Sequence, residues 1–500
     1  MKIANPQIKK LLAHYKKISL IGKVKATLDW DLNVNMPPLA SNGRAEQSAY
    51  LEELLTDLWL DTDFLTTIEK INGNEKNLTD EEKAIVRNTN RSLKFYTKVP
   101  KKLIIENAKV TSSAFIHWRE AREKNEFPLF LPHLAKILTL QKQMAAHLGY
   151  TENVYDALLD LYEPELTTSF TQKTFDALKA DLVPLVKKLQ VKANEKITEK
   201  YIDSSFVYPQ SEQEKQLFFI MQKMRFNCSA GRLDVSPHPF TTTLDRYDIR
   251  VTTKYKTNDF RDSYTSTMHE TGHALYEQGI HPAFSNTPLE GGVSYGIHEC
   301  LSRFWENMVG KNPHFLQYMY PIFIATYPKQ LETLTEKDFM QLFSLVKPSL
   351  IRIEADEVTY ALHIILRFEM EHYLLNEKIT VQDAPEVWQE KSKKYFGISP
   401  EKDSDGILQD VHWAYGNFGY FPSYALGNLY GAQFLQTMKK SVAFDKELEK
   451  GNLVPIKNWL DKNIHTHGSL YYPKELVKKV TGEELNPKYF IQYLQEKYKS

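Results

Sequence analysis

The sequence contains few cysteines, few glycines and no net charge, and each shortage excludes a class of protein. Cys228 and Cys300 are the only cysteines among 500 residues, which makes a disulfide framework implausible and predicts a reducing compartment, the cytoplasm. Glycine is limited to 20 residues, which suits long helices. The 63 basic and 63 acidic residues cancel, so composition gives no support for binding to nucleic acid or to an anionic membrane surface.

Long apolar runs are also missing. The first 20 residues include five lysines and lack the unbroken apolar segment of a signal peptide. No stretch of about 18 apolar residues occurs anywhere, which is the length that a transmembrane helix needs. We therefore expect neither a secretory signal nor a membrane-spanning segment.

What the sequence does contain is an H-E-x-x-H pentad. His269 and His273 are four residues apart, so on a helix their imidazoles lie on one face and can bind one metal ion. Glu270 is turned away from that face and can act as a base toward a metal-bound water, which is a hydrolytic nucleophile at neutral pH. The surrounding residues predict a helix with its N-cap at Asp262 or Ser263 and a stop at Gly279.

A third metal ligand is predicted at Glu299. Residues 281–296 contain prolines and a Gly-Gly pair and form a predicted loop, after which apolar spacing indicates a second helix from about 294 to 309. Glu299 lies on the first turn of that helix and can face the two histidines. Two histidines and a glutamate with an open fourth position are typical of catalytic zinc. Glu306 either supports a ligand from behind or is a solvated helix residue.

These residues form part of a larger set of motifs. In chain order they are H-P-F at 238–240, D-x-R-x-T at 248–252, H-E-x-x-H at 269–273, I-R-x-x-A-D at 351–356 and G-x-x-Q-D-x-H-W at 406–413. With this ordered set, and with the segment 28–38 followed by Arg44 and Gln47, the chain resembles the Taq-type metallocarboxypeptidases, the thermostable carboxypeptidase family, nearly from end to end. The resemblance implies a metal-dependent carboxypeptidase.

One motif departs from the family pattern. Where the family has His-Glu followed by Ser or Gly and then Gln, this chain has Cys300 and Leu301 after Glu299. Leu301 cannot donate the hydrogen bond that a glutamine would, which can alter metal affinity or rate. Cys300 is either a further ligand or, more simply, a buried thiol without a role in the chemistry.

Two arginines are candidates for binding the free carboxylate at the C-terminus of a peptide, because a guanidinium can pair with a carboxylate through two parallel hydrogen bonds. Arg352 is the first candidate, since it lies in a predicted apolar helical stretch near Asp356 and since the family uses this arginine in that way. Arg250, in a segment with the alternation of a strand or hairpin, is the second. The alternative for either is a structural salt bridge.

Hydrolysis also needs donors for the developing oxyanion. The resemblance to helical zinc peptidases implies His412 and a tyrosine in this role, with Tyr424 the better match and Tyr420 the other tyrosine of the segment. Glu270 would take the proton of the water and pass it to the leaving amine. His238 is expected either to line the substrate groove or to stabilise the turn before Pro239.

Charged and apolar residues at three- and four-residue spacing predict a mainly α protein. The predicted helices cover residues 8–26, 43–61, 79–94, 101–123, 130–148, 168–198, 210–227, 335–376, 384–396 and 424–449. The strand signal at 239–258 predicts a small β-sheet near the metal site. Because the motifs are spread from 238 to 424, we expect one large helical body with a deep active-site groove over residues 1–500, in which 1–120 form an N-terminal helical portion overlying the groove and 121–500 the catalytic body.

Three classes of function remain open from the sequence. The first is a zinc-dependent carboxypeptidase acting on peptides with a free C-terminus, in which cobalt or another divalent ion can replace zinc. The second is a helical zinc oligopeptidase or endopeptidase, which has no terminal carboxylate to bind at Arg352. The third is a non-catalytic peptide-binding protein, against which the presence of all three ligands and Glu270 argues. The family resemblance further implies a saddle-like fold and a homodimer.

Overall fold

The computed structural model describes residues 1, 3–73, 75–190, 195–202 and 206–499. Helices account for 69% of the chain and one three-stranded sheet is present, which confirms the mainly helical prediction. None of the helices in these ranges combines the length and the apolarity that crossing a bilayer requires. Both cysteines are free.

The first third of the chain is a series of helices. They are α1 Pro6–Val34, α2 Ser41–Trp59, α3 Thr62–Asn72, α4 Asp80–Lys98, α5 Lys101–Lys124 and α6 Phe127–Leu148. Their ends carry standard signals: Thr79 and Glu82 form a capping box on α4. On the same helix Arg87 donates to the Leu470 carbonyl and Asn88 to the Ser469 carbonyl, so this N-terminal portion contacts the C-terminal part of the chain.

Between α6 and the sheet, the described residues form α7 Val154–Tyr162, α8 Thr168–Gln190, α9 Glu195–Tyr201 and α10 Gln210–Lys223. The predicted helix 168–198 corresponds to α8 and the beginning of α9, and its residues 191–194 lie outside the described residues. The division into an N-terminal portion 1–120 and a catalytic body stays a prediction.

The sheet comprises β1 Gly231–Val235, β2 Thr241–Asp245 and β3 Asp248–Thr253 in the order β1-β3-β2. The predicted segment 239–258 holds β2 and β3, which pair antiparallel with Thr242 opposite Arg250. β1 pairs parallel with β3 and was not predicted. The hydroxyl of Thr267, on the helix that follows, contacts that of Thr253 at 3.0 Å, so the sheet packs on this helix.

That helix, α11, spans Phe260–Gly279, and its N-cap is Asp259, which accepts a hydrogen bond from the Arg261 amide. The predicted N-cap at Asp262 or Ser263 is therefore wrong by three or four residues, because Asp259 already supplies a side-chain oxygen at an extended backbone position. The predicted loop leads to α12, Tyr295–Arg303, which continues into a π-helical segment, Phe304–Gly310.

The remaining helices are α13 Pro313–Thr326, α14 Glu336–Ser344, α15 Tyr360–Leu375, α16 Ala384–Phe396, α17 Pro422–Met438, α18 Phe444–Glu449, α19 Val454–Asn463, α20 Pro473–Thr481 and α21 Lys488–Lys497. In α15 every residue except Tyr373 is buried, which places this helix in the centre of the core.

The predicted helix 335–376 is wrong. It is divided into α14 and α15 by an irregular segment that contains Pro348, which lacks the N–H that a helix interior needs. Arg352 accordingly lies in a short 3₁₀ turn, Arg352–Glu354, and not on an α-helix. The predicted helix 424–449 is likewise two helices, α17 and α18.

Candidate active site

Helices α11 and α12 bring His269, His273 and Glu299 together. The Nε2 atoms of both histidines lie 3.7 Å from Oε2 of Glu299, and one ligand atom of each residue falls within 4.8 Å of the others. Two donors bound to one zinc ion at about 2.1 Å in tetrahedral geometry would be roughly 3.4 Å apart. Among the described residues this is the one cluster with the donors and spacing to hold a metal ion.

Two glycines allow α12 to approach this closely. A Cβ added at Gly272 on α11 would lie 2.7 Å from the Leu301 carbonyl oxygen. A Cβ added at Gly427 on α17 would lie 2.9 Å from Cγ of Glu299 and 3.0 Å from the amide nitrogen of Cys300. Real side chains do not tolerate contacts this short, so α12 fits between α11 and α17 only because both positions are glycine.

Glu270 lies between the ligand cluster and the sheet. Its side chain is 8% exposed, and its Oε2 lies 2.7 Å from the hydroxyl of Thr241 on β2. Burial raises the pKa of Glu270, although His269 and the Thr241 hydroxyl act in the opposite direction. A carboxylate with a raised pKa, held by one oxygen and free at the other, is suited to accept and return a proton.

The ring nitrogens of the two histidines that face away from Glu299 are also occupied. Nδ1 of His269 lies 3.0 Å from Oε2 of Glu306, and Nδ1 of His273 lies 2.6 Å from Nδ1 of His298. Such contacts fix the orientation of a ligand imidazole. Glu306 is buried and lies in the π-helical segment, so of its two predicted roles the structure favours support of a ligand from behind.

The charges around the cluster act on the two histidines in opposite directions. Burial opposes the protonation of His269, but Glu299, Glu306 and Glu270 outweigh it and raise the pKa of this histidine. Burial lowers the pKa of His273 well below its ordinary value, together with the neighbouring histidines and with Arg303, which contacts Glu299 at 2.8 Å and Glu306 at 3.2 Å. The donor set and its spacing therefore suit a divalent metal ion.

The cluster opens into a cavity of about 640 Å³. The lining combines residues of the cluster with aromatic and loop residues from five other parts of the chain: Arg91, Leu161, Tyr162, Pro164, Pro239, Phe240, Thr241, Gly292, Val293, Ser294, Tyr295, Tyr420 and Tyr424, besides His269, Glu270, His273, His298 and Glu299. The cavity therefore brings three imidazoles, two carboxylates and four tyrosines together around one bound molecule.

Arg352 lies beyond Tyr424, with its guanidinium carbon 5.2 Å from the centre of that ring. Its Nε and Nη2 donate to Oδ1 of Asp410 at 2.9 and 2.8 Å, and its Nη1 donates to the Tyr360 hydroxyl. The partner acid is therefore Asp410, and not the nearby Asp356. The other oxygen of Asp410 accepts from Nε of Arg367 at 2.6 Å, so one carboxylate serves two arginines.

His412 and the two tyrosines lie on the same side of the cavity. Tyr420 and Tyr424 line it, with ring centres 5.3 Å apart. The ring of His412 packs behind them, 4.5 Å from the ring of Phe421 and 5.5 Å from that of Tyr420. Burial lowers the pKa of His412 to about 4, so at neutral pH this imidazole is uncharged. Its Nδ1 is buried without a hydrogen-bond partner.

The structure separates Arg250 and His238 from the cavity. The guanidinium of Arg250 donates to both oxygens of Asp248 at 2.8 Å and lies 4.2 Å from the Trp30 ring, so it joins β3 to α1. His238 is exposed, and its backbone carbonyl accepts a hydrogen bond from Ser236. These contacts match the structural alternatives stated for both residues, and neither is among the residues that line the cavity, which also exclude Arg352 and His412.

Cys300 and Leu301, the departures from the family pattern, are both fully buried. Cys300 does not belong to the ligand cluster; burial and the neighbouring Glu163 raise the pKa of its thiol well above the ordinary value. A thiol that is difficult to deprotonate is a poor metal ligand. Cys300 is therefore a packing residue.

Comparison with known proteins agrees with this geometry. A family model described as carboxypeptidase Taq (M32) metallopeptidase matches residues 10–498. The chain belongs to this family. It is a metallocarboxypeptidase, and the family implies a divalent metal.

The relatives cover the whole molecule. Thermostable carboxypeptidase 1 of Pyrococcus furiosus is 42% identical over 496 residues, 99% of each chain. Carboxypeptidase 1 of Bacillus subtilis is 39% identical over 487 residues, 97% of this chain and 96% of the relative. A solved structure of the P. furiosus carboxypeptidase covers 99% of each chain with a TM-score of 0.96.

Several residues at the site of this metallocarboxypeptidase were not predicted from the sequence: Thr241, Glu277, His298, Arg91, Tyr162 and Tyr295. Glu277 follows His273 by one helical turn, so its place on the same face could have been read from the spacing. Thr241 could not, because its contact with Glu270 joins two elements of different type.

Replacing Gly272 or Gly427 by alanine should weaken metal binding and destabilise the enzyme, because α12 must move away from α11 or α17 and carry Glu299 with it. Overpacking of this kind costs about 1–3 kcal/mol. Metal content after dialysis and the free energy of unfolding in urea would measure both effects. Gly22→Ala, on α1 where an added Cβ would have no atom within 4 Å, is the matched control and should be neutral or slightly stabilising. Native metal content in both test variants would contradict the role of the glycines.

His412 should make stability depend on pH below neutrality. Its pKa is about 4 in the folded enzyme against 6.5 for the free group, so between these values the unfolded chain binds more protons. Stability is therefore lost as pH falls from 6.5 toward 4, by about 2 kcal/mol at pH 5. Urea unfolding of metal-free native enzyme and of His412→Gln at pH 7 and 5 would measure this. An equal loss in both proteins would show that His412 titrates normally when folded.

Proposed function

We propose that this metallocarboxypeptidase removes single C-terminal amino acids from peptides in the cavity where His269, His273 and Glu299 meet. The observation that carries the proposal is the convergence of three ligand atoms within 4.8 Å beside the buried carboxylate of Glu270. A binding protein without catalytic activity would need the ligands but not a base held in this position.

We further propose that His269, His273 and Glu299 hold a zinc ion, because two imidazoles and one carboxylate with space on the cavity side are the ligand set of catalytic zinc. When bound, the ion polarises the scissile carbonyl and makes a water molecule more acidic. Glu299 also accepts from Arg303, which keeps one of its oxygens directed away from the histidines.

Glu270 is the proton carrier in this proposal. Its Oε2 is held by Thr241, which leaves Oε1 to accept the proton of the attacking water. The raised pKa of Glu270 lets the same oxygen return that proton to the leaving amine. The hydroxyls of Tyr420 and Tyr424 are the donors on the cavity wall for the oxyanion, and His412 supports the rings from behind.

Arg352 is the proposed recognition group for the terminal carboxylate. A guanidinium has five N–H groups. Three of those of Arg352 donate to Asp410 and Tyr360, which leaves one N–H on Nη1 and one on Nη2 for a substrate carboxylate. Arg352, Arg367 and Asp410 together carry a net positive charge, which a substrate carboxylate would balance. An endopeptidase substrate has no such charge to offer.

Other expectations from the family resemblance remain proposals. We propose that the enzyme is a homodimer and that it works in the cytoplasm, in keeping with two free thiols. Substrate contacts by Arg250 and His238 also stay predictions, since their own contacts hold the sheet and its turn.

The function can be tested by amino-acid release from an N-terminally blocked peptide and from its C-terminally amidated twin. Metal-loaded enzyme should release single residues from the free-acid peptide, and chelation should abolish the release. Glu270→Gln should retain the metal and lose at least about 100-fold in kcat, because no group remains to accept the proton of the water.

Two results would contradict the proposal. Internal cleavage of both peptides would identify an oligopeptidase, and no cleavage with zinc or cobalt would indicate a binding protein. Retained activity of Glu270→Gln would remove Glu270 as the base. Native metal content in that variant is the control for an intact site.

Replacing Arg352 by lysine should raise KM for free-acid peptides and lower kcat/KM by about 100-fold, since the charge remains but paired hydrogen bonds to a carboxylate are lost. Discrimination between free-acid and amidated peptides should fall with it. Steady-state kinetics on both peptides would measure this. Arg119→Lys, at an exposed position on α5, is the control and should change neither parameter. Equal losses for Arg352→Lys on both peptides would make Arg352 structural.

A further inference from the structure

A chain of three side chains extends from His273 away from the cavity. Nδ1 of His273 lies 2.6 Å from Nδ1 of His298, and Nε2 of His298 lies 2.8 Å from Oε1 of Glu277. His269 has no such intermediate, because its Nδ1 meets the carboxylate of Glu306 directly. The two histidines of the pentad are therefore supported in different ways.

The contact between the two imidazoles fixes the position of every proton in this chain. A neutral imidazole has one N–H, and a contact between two ring nitrogens needs one donor and one acceptor. Because Nε2 of His273 faces Glu299 and must keep its lone pair to bind a metal, Nδ1 of His273 carries the proton and donates it to His298. His298 then carries its own proton on Nε2 and donates it to Glu277.

We propose that His298 is a positioning residue. It fixes the tautomer and ring orientation of His273, and the hydrogen bond to Glu277 in turn fixes the tautomer and orientation of His298. This proposal rests on the proposed assignment of His273 as a metal ligand. This series of hydrogen bonds begins and ends on α11, since Glu277 lies one helical turn after His273 on that helix while His298 lies on α12. It thereby joins the two ligand-bearing helices by hydrogen bonds that do not involve the metal.

The surroundings hold His298 in one orientation. A Cβ added at Gly292 would lie 2.6 Å from Cδ2 of His298, so the loop backbone packs against the ring. On another side the ring of Tyr276 has its centre 5.2 Å away. Glu277 is 8% exposed and accepts the hydrogen bond away from bulk water, where it is worth more than at a surface.

The alternative is that His298 contacts the substrate, because it also lines the cavity. Glu277 separates the two possibilities, since it supports His298 from behind without lining the cavity. A role in positioning makes metal affinity sensitive to both residues. A role in substrate contact makes KM sensitive to His298 alone.

The test measures the zinc dissociation constant by competition with a chelator, together with kcat and KM of fully loaded enzyme. His298→Phe and Glu277→Met should each weaken zinc binding by at least about tenfold. His298→Asn keeps an acceptor close to the position of Nδ1 and should recover part of the loss. His147→Phe, at an exposed position on α6, is the control and should bind zinc as the native enzyme does.

Two results would overturn the proposal. If His298→Phe raises KM while zinc affinity stays native in both His298→Phe and Glu277→Met, His298 contacts the substrate and positions nothing. If His273→Ala binds zinc as tightly as the native enzyme, His273 is not a ligand, and the proposed function fails at that residue together with the positioning role of His298. Thermal unfolding of each metal-free variant is compared with that of metal-free native enzyme. Equal unfolding temperatures show that weaker zinc binding does not result from misfolding.

Discussion

The close packing of α12 between α11 and α17 is the constraint on which the site depends. Glu299 meets the two histidines because Gly272 and Gly427 let three helix backbones approach to distances that any side chain would prevent. A similar approach occurs at the beginning of α12, where a Cβ on Gly296 would lie 2.5 Å from the Glu163 carboxylate that accepts its N–H. The sheet completes the arrangement, because the Thr241 hydroxyl on β2 donates to the carboxylate of Glu270 on α11.

Buried charge of opposite sign lies at the ligand cluster and behind Tyr424. At the cluster, Glu270, Glu299 and Glu306 surround the histidines, and Arg303 and Lys311 balance them in part; these two cations hold the pKa of Glu306 well below its usual range against the effect of burial. Behind Tyr424, Asp410 is shared by Arg352 and Arg367, of which the second has no exposed surface. In the proposed function, a peptide with a free carboxylate would complement both groups, with its scissile carbonyl at the cluster and its terminus toward the arginines.

How much of this the sequence predicts depends on whether a feature is local. The pentad, its helix and the place of Glu299 after a loop follow from spacing along the chain. Strand β1 does not, because its pairing with β3 is parallel and joins segments separated by all of β2. The predicted helix through Arg352 is wrong because Pro348 ends a helix that the apolar periodicity alone would continue. The contacts of His298 with Glu277 and of Thr241 with Glu270 are tertiary, so no periodicity contains them.

The π-helical segment Phe304–Gly310 has an evolutionary consequence. Its i to i+5 bonding, seen where the Lys311 amide donates to the Glu306 carbonyl, corresponds to one residue more than an α-helix would use over the same turn. Deleting one residue between Glu299 and Glu306 would place Glu306 one helical position earlier, which turns its side chain toward another face of the helix by up to about 100°. Glu306 would then lose its direction toward His269. Descendants of this sequence can therefore exchange side chains along α12 and beyond more readily than they can change the number of residues between Glu299 and Glu306.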